Sequence, residues 1–443
     1  MLGQSRPKSV STKQARIAKL ARQMPEAAMC SLSYQVDLEW LGEAFRRTRK
    51  DGAVGIDGQT ADEYAENLEA NLQSLLDRAK SGSYRAPPVR RVHIPKGDGS
   101  QTRPIGIPTF EDKILQRAVA MLLEPVYEQD FYNFSYGFRP GRSAHDALQT
   151  IYDGIWAVRG GWVLDVDIKS FFDTLDHEKL RDLLRLRVVD GVVVRLIGKW
   201  LRAGVLEGGV VHHPVSGTPQ GGVISPILSN IYLHEVVDKW WVKDVMPRMR
   251  GRAFMVRYAD DLVMVFSERE DALRVQRVLP KRVERFGLTL HPEKTRLVPF
   301  RRPRRDGGGP KPGSFDFLGF THFWGRSREG NTVLKRKTAS DRLSRSLRAL
   351  NRWMRKARHV PIKRQAQQLG RKLAGHFEYY GIRGNSKAIG RFAHWARRLW
   401  RKWLGRRSQR SKLTWKKFNR LLRRYPLPPA RLRPGRQLRL ANL

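Results

Sequence analysis

The 443-residue chain has one cysteine, Cys30, so it can build neither a disulfide framework nor a Cys₂His₂-type zinc site. That scarcity fits a reducing compartment. No apolar run approaches the roughly 18 residues of a membrane-spanning helix, which excludes helical membrane insertion. Acids are also scarce. There are 42 Asp and Glu against 85 Lys and Arg, for a formal net charge of +43 and a pI near 11.1. A field of that sign attracts polyanions, nucleic acid ahead of an acidic membrane surface. The length allows two or three domains with a substantial core.

The charge is uneven. Asn331 to Leu443 carries 34 Lys and Arg and only two acids, Asp341 and Glu378. Apolar stripes run through the same stretch: Leu343, Leu347, Leu350 and Met354; then Ile362, Ala366, Leu369, Leu373 and Phe377; then Ile389, Phe392, Leu399 and Trp403. This pattern predicts helices packed on their apolar faces, with basic faces left for a phosphate backbone.

Some of these acids stand where they are poorly tolerated. Two short apolar runs flank Tyr258-Ala259-Asp260-Asp261, the pattern of a β-hairpin. Adjacent carboxylates repel, and Asp is a poor strand residue. The tip is therefore either a solvated turn or a place where a divalent cation takes carboxylate oxygens. Trp162 to Ile168 predicts a buried strand, with Asp165 and Asp167 on one face. Either is a possible ligand. Two strands ending in carboxylates can form one cluster of the kind that holds two Mg²⁺ for in-line attack on a phosphate.

Tyr258-Ala259-Asp260-Asp261 on a hairpin, with Asp167-Ile168-Lys169-x-x-Phe172-Asp173 upstream, resembles the palm of a reverse transcriptase. More specifically, the chain resembles the reverse transcriptase/maturase proteins of bacterial group II introns over residues 36–430. The resemblance implies an α+β, right-hand polymerase fold, with fingers and palm of antiparallel sheet plus helices and then an α-helical thumb or maturase (X) domain. The expected divisions are a basic N-terminal extension (1–35), N-terminal helices and fingers (36–160), palm (161–330), helical thumb (331–425) and a basic Pro-containing tail (426–443). The extension is expected to contact RNA or to be disordered. A single helix is expected over about 61–81, others over 110–127 and 269–286, and a fingers hairpin turning at Gly97-Asp98-Gly99.

The resemblance also implies site roles. Its pattern places an aromatic residue five positions after the catalytic Asp, which selects Asp167 with Phe172 over Asp165 with Ser170. Asp167, Asp260 and Asp261 become the catalytic carboxylates and metal ligands, for two Mg²⁺ or substitute Mn²⁺. Phe172 would lie under the incoming sugar and exclude a 2′-hydroxyl. Lys96 and Arg103 of the fingers would hold the triphosphate. Gln220, with Gly221 in Pro219-Gln220-Gly221-Gly222, would touch template or nucleotide. Arg139 and Arg142 would contact backbone phosphate, and Lys294 would be the general acid for pyrophosphate departure.

The implied activity is RNA-directed DNA polymerisation from dNTPs, with intron-RNA binding that assists splicing and mobility by target-primed reverse transcription. The partners are group II intron RNA, template RNA and primer or target DNA, with no membrane, in a bacterial cytoplasm. The paired Cys-x-x-Cys motifs of an endonuclease domain are absent from this sequence. The alternatives are a domesticated reverse transcriptase in repair or defence, a non-catalytic RNA-binding splicing cofactor, and an RNA-dependent RNA polymerase.

Overall fold

The computed structural model describes residues 9–96, 101–207, 209–212, 221–303, 311–408 and 413–433. These form two compact units. The first comprises residues up to Ile151 together with Trp162–Leu297, and the second comprises Tyr152–Gly161 and Val298 onward.

The first unit opens with α1 (Val10–Gln23), α2 (Leu38–Arg47), α3 (Ala61–Ala65) and α4 (Leu68–Ser81). The strands β1 (Val89–Lys96) and β2 (Gln101–Ile107) follow, then α5 (Phe110–Tyr127). Within the expected extension, residues 10–23 are helical and packed. α1 buries Val10, Ile17 and Ala21 and packs on α5. Burial of side chains such as Val10 and Ile17 gives about 1.5–3 kcal/mol each. Their seven-residue spacing is a helical stripe hidden among basic neighbours.

α5 is buried over most of its circumference, with Asp112 and Gln116 among its buried residues. Pro125 lies inside it and cannot donate to the Met121 carbonyl, so Gln14 of α1 donates instead, at 3.0 Å. The C-terminal end of α1 is capped by the buried Arg187, which donates to the carbonyls of Ala21 and Met24 at 2.7 Å and pairs with Asp130 at 2.8 Å. The expected single helix over 61–81 is two helices. Asn67 leaves helical geometry (φ −124°, ψ 45°), and Asn71 Nδ2 donates to the Tyr64 carbonyl across the break.

The unit continues through α6 (Ala144–Ala157, which runs on into the second unit), β3 (Trp162–Asp167), α7 (Phe171–Thr174), α8 (His177–Arg185) and α9 (Gly191–Leu201). After β4 (Val205–Glu207) and β5 (Val210–His212) come α10 (Ser225–Leu233), which passes into π-helical turns, then β6 (Ala253–Tyr258), β7 (Asp261–Phe266) and α11 (Arg269–Glu284). β8 is Arg296–Pro299. One sheet has the order β2-β1-β4-β5, the other β6-β7-β3-β8. The faces of β3 and β7 carry Val163, Leu164, Val263, Met264 and Val265, all fully buried. This core holds the ends of both strands in register.

In the second unit, β9 (Phe315–Phe317), β10 (Phe320–Arg326) and β11 (Thr332–Thr338) form a meander. Four helices follow: α12 (Ser340–Lys356), α13 (Ile362–Tyr380), α14 (Ser386–Leu404) and α15 (Trp415–Arg424). Among the described residues the strands of 315–338 pair with one another and belong with these helices, so this unit begins about thirty residues before the expected boundary at 330. Leu369, Leu373, Phe377, Ile389, Phe392 and Trp400 make the bundle core. Trp400, rather than the expected Trp403, sits at its centre, with its Nε1 donating to Gln365 Oε1 at 3.0 Å. The turn between α13 and α14 is tied by buried Asn385, which donates to Thr338 Oγ1 and the Tyr380 carbonyl, both at 2.8 Å. Among the described residues no helix is long and apolar enough to cross a membrane.

Candidate active site

The β6/β7 register pairs Tyr258 with Asp261, leaving Ala259 and Asp260 as a two-residue hairpin loop. Ala259 has φ of +56°, where glycine is favoured, and Asp260 does not share that positive φ. An L-residue there stores about 1–2 kcal/mol of strain, so the surroundings must hold it.

They do so through Arg257, a fully buried arginine inside an apolar strand. Its guanidinium makes a two-pronged pair with buried Asp238, Nε to Oδ1 at 2.8 Å and Nη2 to Oδ2 at 2.5 Å. Nη1 donates to Asn230 Oδ1 at 2.9 Å and to the Ala259 carbonyl at 3.2 Å. Asn230 in turn donates to the Gly137 carbonyl at 2.7 Å. Gly137 is there because a Cβ would stand 2.3 Å from the Ala259 nitrogen. Burial pushes the Asp238 carboxyl up, but the Arg257 charge and His234 outweigh it, and the net effect is a lowered pKa. None of these residues was singled out from sequence. The available signal was polar residues inside apolar runs: Arg257 after Met255-Val256, Asn230 before Ile231, and Asp238 after Val236-Val237.

The β3/β7 register sets Asp167 opposite Asp261, with Asp260 next to it at the tip. Asp165 lies two residues further in, opposite Val263, and pairs with Arg296 at 3.5 Å. Burial raises the Asp260 carboxyl above the ordinary carboxylate range. Its own backbone N–H and the Arg103 charge oppose the rise, and the Asp167 charge adds to it. Lys294 Nζ stands 3.4 Å from Asp167 Oδ2. Both side chains are more than a third exposed, so solvent screens this pair. The strand exit at Asp167 is held by the chain after α11: His291 N–H donates to the Asp167 carbonyl and Lys169 N–H to the Thr289 carbonyl, each at 2.8 Å.

Among the described residues, no three Asp, Glu, His or Cys side chains already stand as a metal-ligating group. The donor chemistry nevertheless fits a hard divalent cation. Asp167 and Asp260 are close enough for one charge to disfavour ionisation of the other, and all the donors are oxygen.

Arg103 is exposed on β2, across from Ile94, and its charge reaches Asp260. Lys96 ends β1, but its side chain, the turn at 97–100 and Gln220 lie outside the described residues. Gly221 is described. Its φ is +115°, and a Cβ there would meet Ile105 Cγ2 at 2.6 Å and the Gly106 oxygen at 2.7 Å. Its missing side chain therefore serves packing against β2. α7 separates the two phenylalanines. Phe171 is 2% exposed core, and Phe172 is half-buried beside it, with ring centroids 5.3 Å apart.

Arg139 is a correction. Its guanidinium is buried, pairs with Glu128 at 2.9 and 3.0 Å, and donates to the carbonyls of Tyr132 and Ser135. With its donors consumed it braces the 132–139 turn and presents nothing to a phosphate. Arg142 bonds the Asn133 side chain at 2.9 Å and stays partly exposed.

Residues 94–322 match the family described as reverse transcriptase (RNA-dependent DNA polymerase), just over half of the chain. The chain belongs to the reverse transcriptase family. Protein YkfC of Escherichia coli K12 is 39% identical over 258 residues, 51% of this chain and 68% of that protein. The group II intron-encoded protein LtrA of Lactococcus lactis is 45% identical over 186 residues, 42% of this chain and 30% of LtrA. Nuclear intron maturase 2 of Arabidopsis thaliana is 29% identical over 222 residues, 40% of this chain and 30% of that protein. The reverse transcriptase thus spans about two thirds of YkfC but less than a third of LtrA. Its sheets with flanking helices and its helical C-terminal region form an α+β polymerase fold.

Proposed function

We propose that this reverse transcriptase is an active RNA-directed DNA polymerase that also binds a group II intron RNA as a maturase and supports intron mobility by target-primed reverse transcription. The observation that carries the reading is the strand register that sets Asp167 opposite Asp261 beside the desolvated Asp260, with Arg103 within electrostatic reach. A splicing cofactor without catalysis has no use for a strained hairpin tip held by a buried Arg257–Asp238 pair. Similarity to LtrA and the +43 charge support the RNA-binding half.

Asp167, Asp260 and Asp261 would hold Mg²⁺, which supplies Lewis-acid activation of the primer 3′-hydroxyl and charge neutralisation on the triphosphate. The remaining roles fall to the chain itself. Arg103, with Lys96, binds triphosphate oxygens, the guanidinium by paired N–H donors. Phe172 lies along the sugar and selects against a 2′-hydroxyl. Gln220 would contact template or nucleotide, next in sequence to Gly221, which packs against β2. Lys294 Nζ, already beside Asp167, delivers a proton to the departing pyrophosphate.

The test is extension of a primer on an RNA template with dNTPs and Mg²⁺, alongside binding of an intron RNA across a salt series. The expected result is extension, with affinity falling ~10³-fold or more from 50 to 200 mM salt if six or more phosphates are contacted. Tight RNA binding without extension would transfer the assignment to a splicing cofactor.

A further inference from the structure

A groove of about 360 Å³ runs between α8 and α9, and none of its lining residues belongs to the carboxylate site. Both helices bury their other faces, α8 through Leu180 and Leu184 and α9 through Val193, Leu196, Ile197 and Trp200. The groove is lined by Arg181 and Arg185, one turn apart on α8, by exposed Gly191 and Arg195 and buried Gly198 of α9, and by Arg202 at its C-terminal end. The glycines make the floor backbone. Gly191 has open space where a Cβ would be, and the Gly198 Cβ position looks onto Arg202 Nη2 at 3.7 Å.

No buried carboxylate is paired with these arginines among the described residues. Arg195 Nη2 donates to the Lys80 carbonyl at 3.2 Å, which orients its guanidinium without cancelling its charge. Arg185 pairs with Asp182, at 3.3 Å with both side chains at least half exposed, an interaction a phosphate can replace. Among the described residues neither Arg181 nor Arg202 forms an ion pair, and Arg181 Nε is shielded from solvent with no acceptor. A buried donor without an acceptor calls for a ligand that supplies one. Buried Asp190, the N-cap of α9, is committed to the N–H groups of Val192, Val193 and Ser33. The positive field is also felt by Lys199: desolvation first, then the charges of Arg195, Arg85 and Arg202, push its ammonium below the ordinary value.

We propose that this groove binds the phosphodiester backbone of duplex RNA at a site separate from the polymerising centre. The inference rests on the RNA-binding half of the proposed function and gives it a location in the first unit. Guanidinium groups carried by two packed helices suit phosphates of regular spacing, and duplex RNA is recognised largely through backbone and shape. An acidic peptide would use the same charges, with exposed Val189 at the rim as its apolar contact.

The test uses the full chain and an RNA duplex of about 20 base pairs. Binding is measured from 50 to 200 mM salt for the parent, for Arg181→Gln/Arg185→Gln/Arg202→Gln, and for a charge-matched control on exposed positions of α11 and its C-cap, Arg277→Gln/Lys281→Gln/Arg285→Gln. Extension of a short primer–template is followed in parallel. Three lost phosphate contacts should lower the salt slope by about 2–3, so that the parent loses ~40-fold more affinity over this range than the groove variant. The control should keep the parental slope, and the groove variant should extend the short primer at the parental rate. Equal slopes for groove variant and control would overturn the proposal, as would unchanged duplex binding with loss of polyglutamate binding. A parent that extends primers yet binds no duplex sinks the groove and leaves the polymerase standing. A chain that extends nothing yet shows the slope change does the reverse.

Discussion

Replacing Arg257 by Met should separate the fold from the catalytic geometry. Arg257 and Asp238 are both fully buried and joined by two bonds, 2.8 and 2.5 Å. Removing the guanidinium strands the Asp238 carboxylate in the core, at a cost of about 3–5 kcal/mol. Asp238→Leu should cost a similar amount by stranding the guanidinium. Arg257→Met/Asp238→Leu removes both charges at similar volume and should return to within about 1–2 kcal/mol of the parent, since well-packed apolar replacements of buried pairs are tolerated. Denaturant unfolding of all four proteins gives the coupling energy, which should exceed ~2 kcal/mol. The activity should not follow the stability. In the double variant the Ala259 carbonyl and Asn230 Oδ1 lose their donor, the turn at φ +56° relaxes, and Asp260 shifts. A displacement of about 1 Å at reacting groups costs on the order of 10²-fold, so primer extension should fall by at least that much. A double variant that folds and extends primers at the parental rate would refute the claim that Arg257 positions the tip.

Gly137→Ala puts a Cβ 2.3 Å from the Ala259 nitrogen, and both partners are backbone; it should destabilise by about 1–3 kcal/mol and abolish extension, read by unfolding and by gel assay. Asp112 accepts bonds from Tyr84, Trp200 and Gln116, yet burial dominates and raises its pKa to about 6. Because the folded pKa lies above the ordinary 3.8, the parent keeps this proton longer when folded than when unfolded. Relative to Asp112→Asn, its stability should therefore be greatest below pH ~4 and decline by on the order of 3 kcal/mol up to pH ~6–7, with no further change above that. A difference that grows with pH would contradict the sign. Phe172→Ala should lower the preference for dNTPs over rNTPs by about tenfold or more in competitive incorporation, and an unchanged ratio would remove Phe172 from the sugar-sensing role.

Local patterns in the chain carried much of this. Apolar runs around Tyr258-Ala259-Asp260-Asp261 specify a hairpin because its pairing is between neighbours in sequence, and the 18 residues of α5 announce themselves by their stripe. What was hidden depends on distant partners. Arg139 reads as a phosphate ligand until Glu128 and two carbonyls consume its donors. The helix at 10–23 reads as a solvated basic arm until α5 supplies a face for Val10 and Ile17. The Arg257–Asp238–Asn230 clamp joins positions 19 and 27 residues apart, and only the fold shows that these interruptions of apolar runs meet each other. The break at Asn67 follows from one residue leaving helical geometry, a local event that the long leucine stripe conceals.

The most direct test of the central claim is the rate of single-nucleotide addition on an RNA template by Asp260→Asn against the parent, with RNA affinity measured on the same preparations. Asn keeps the size of the tip residue while removing its charge. A loss of at least ~10³-fold in rate with RNA affinity unchanged is predicted, because one charge in a +43 chain contributes little to RNA attraction. Parental rates in Asp260→Asn would contradict the assignment of the carboxylate centre.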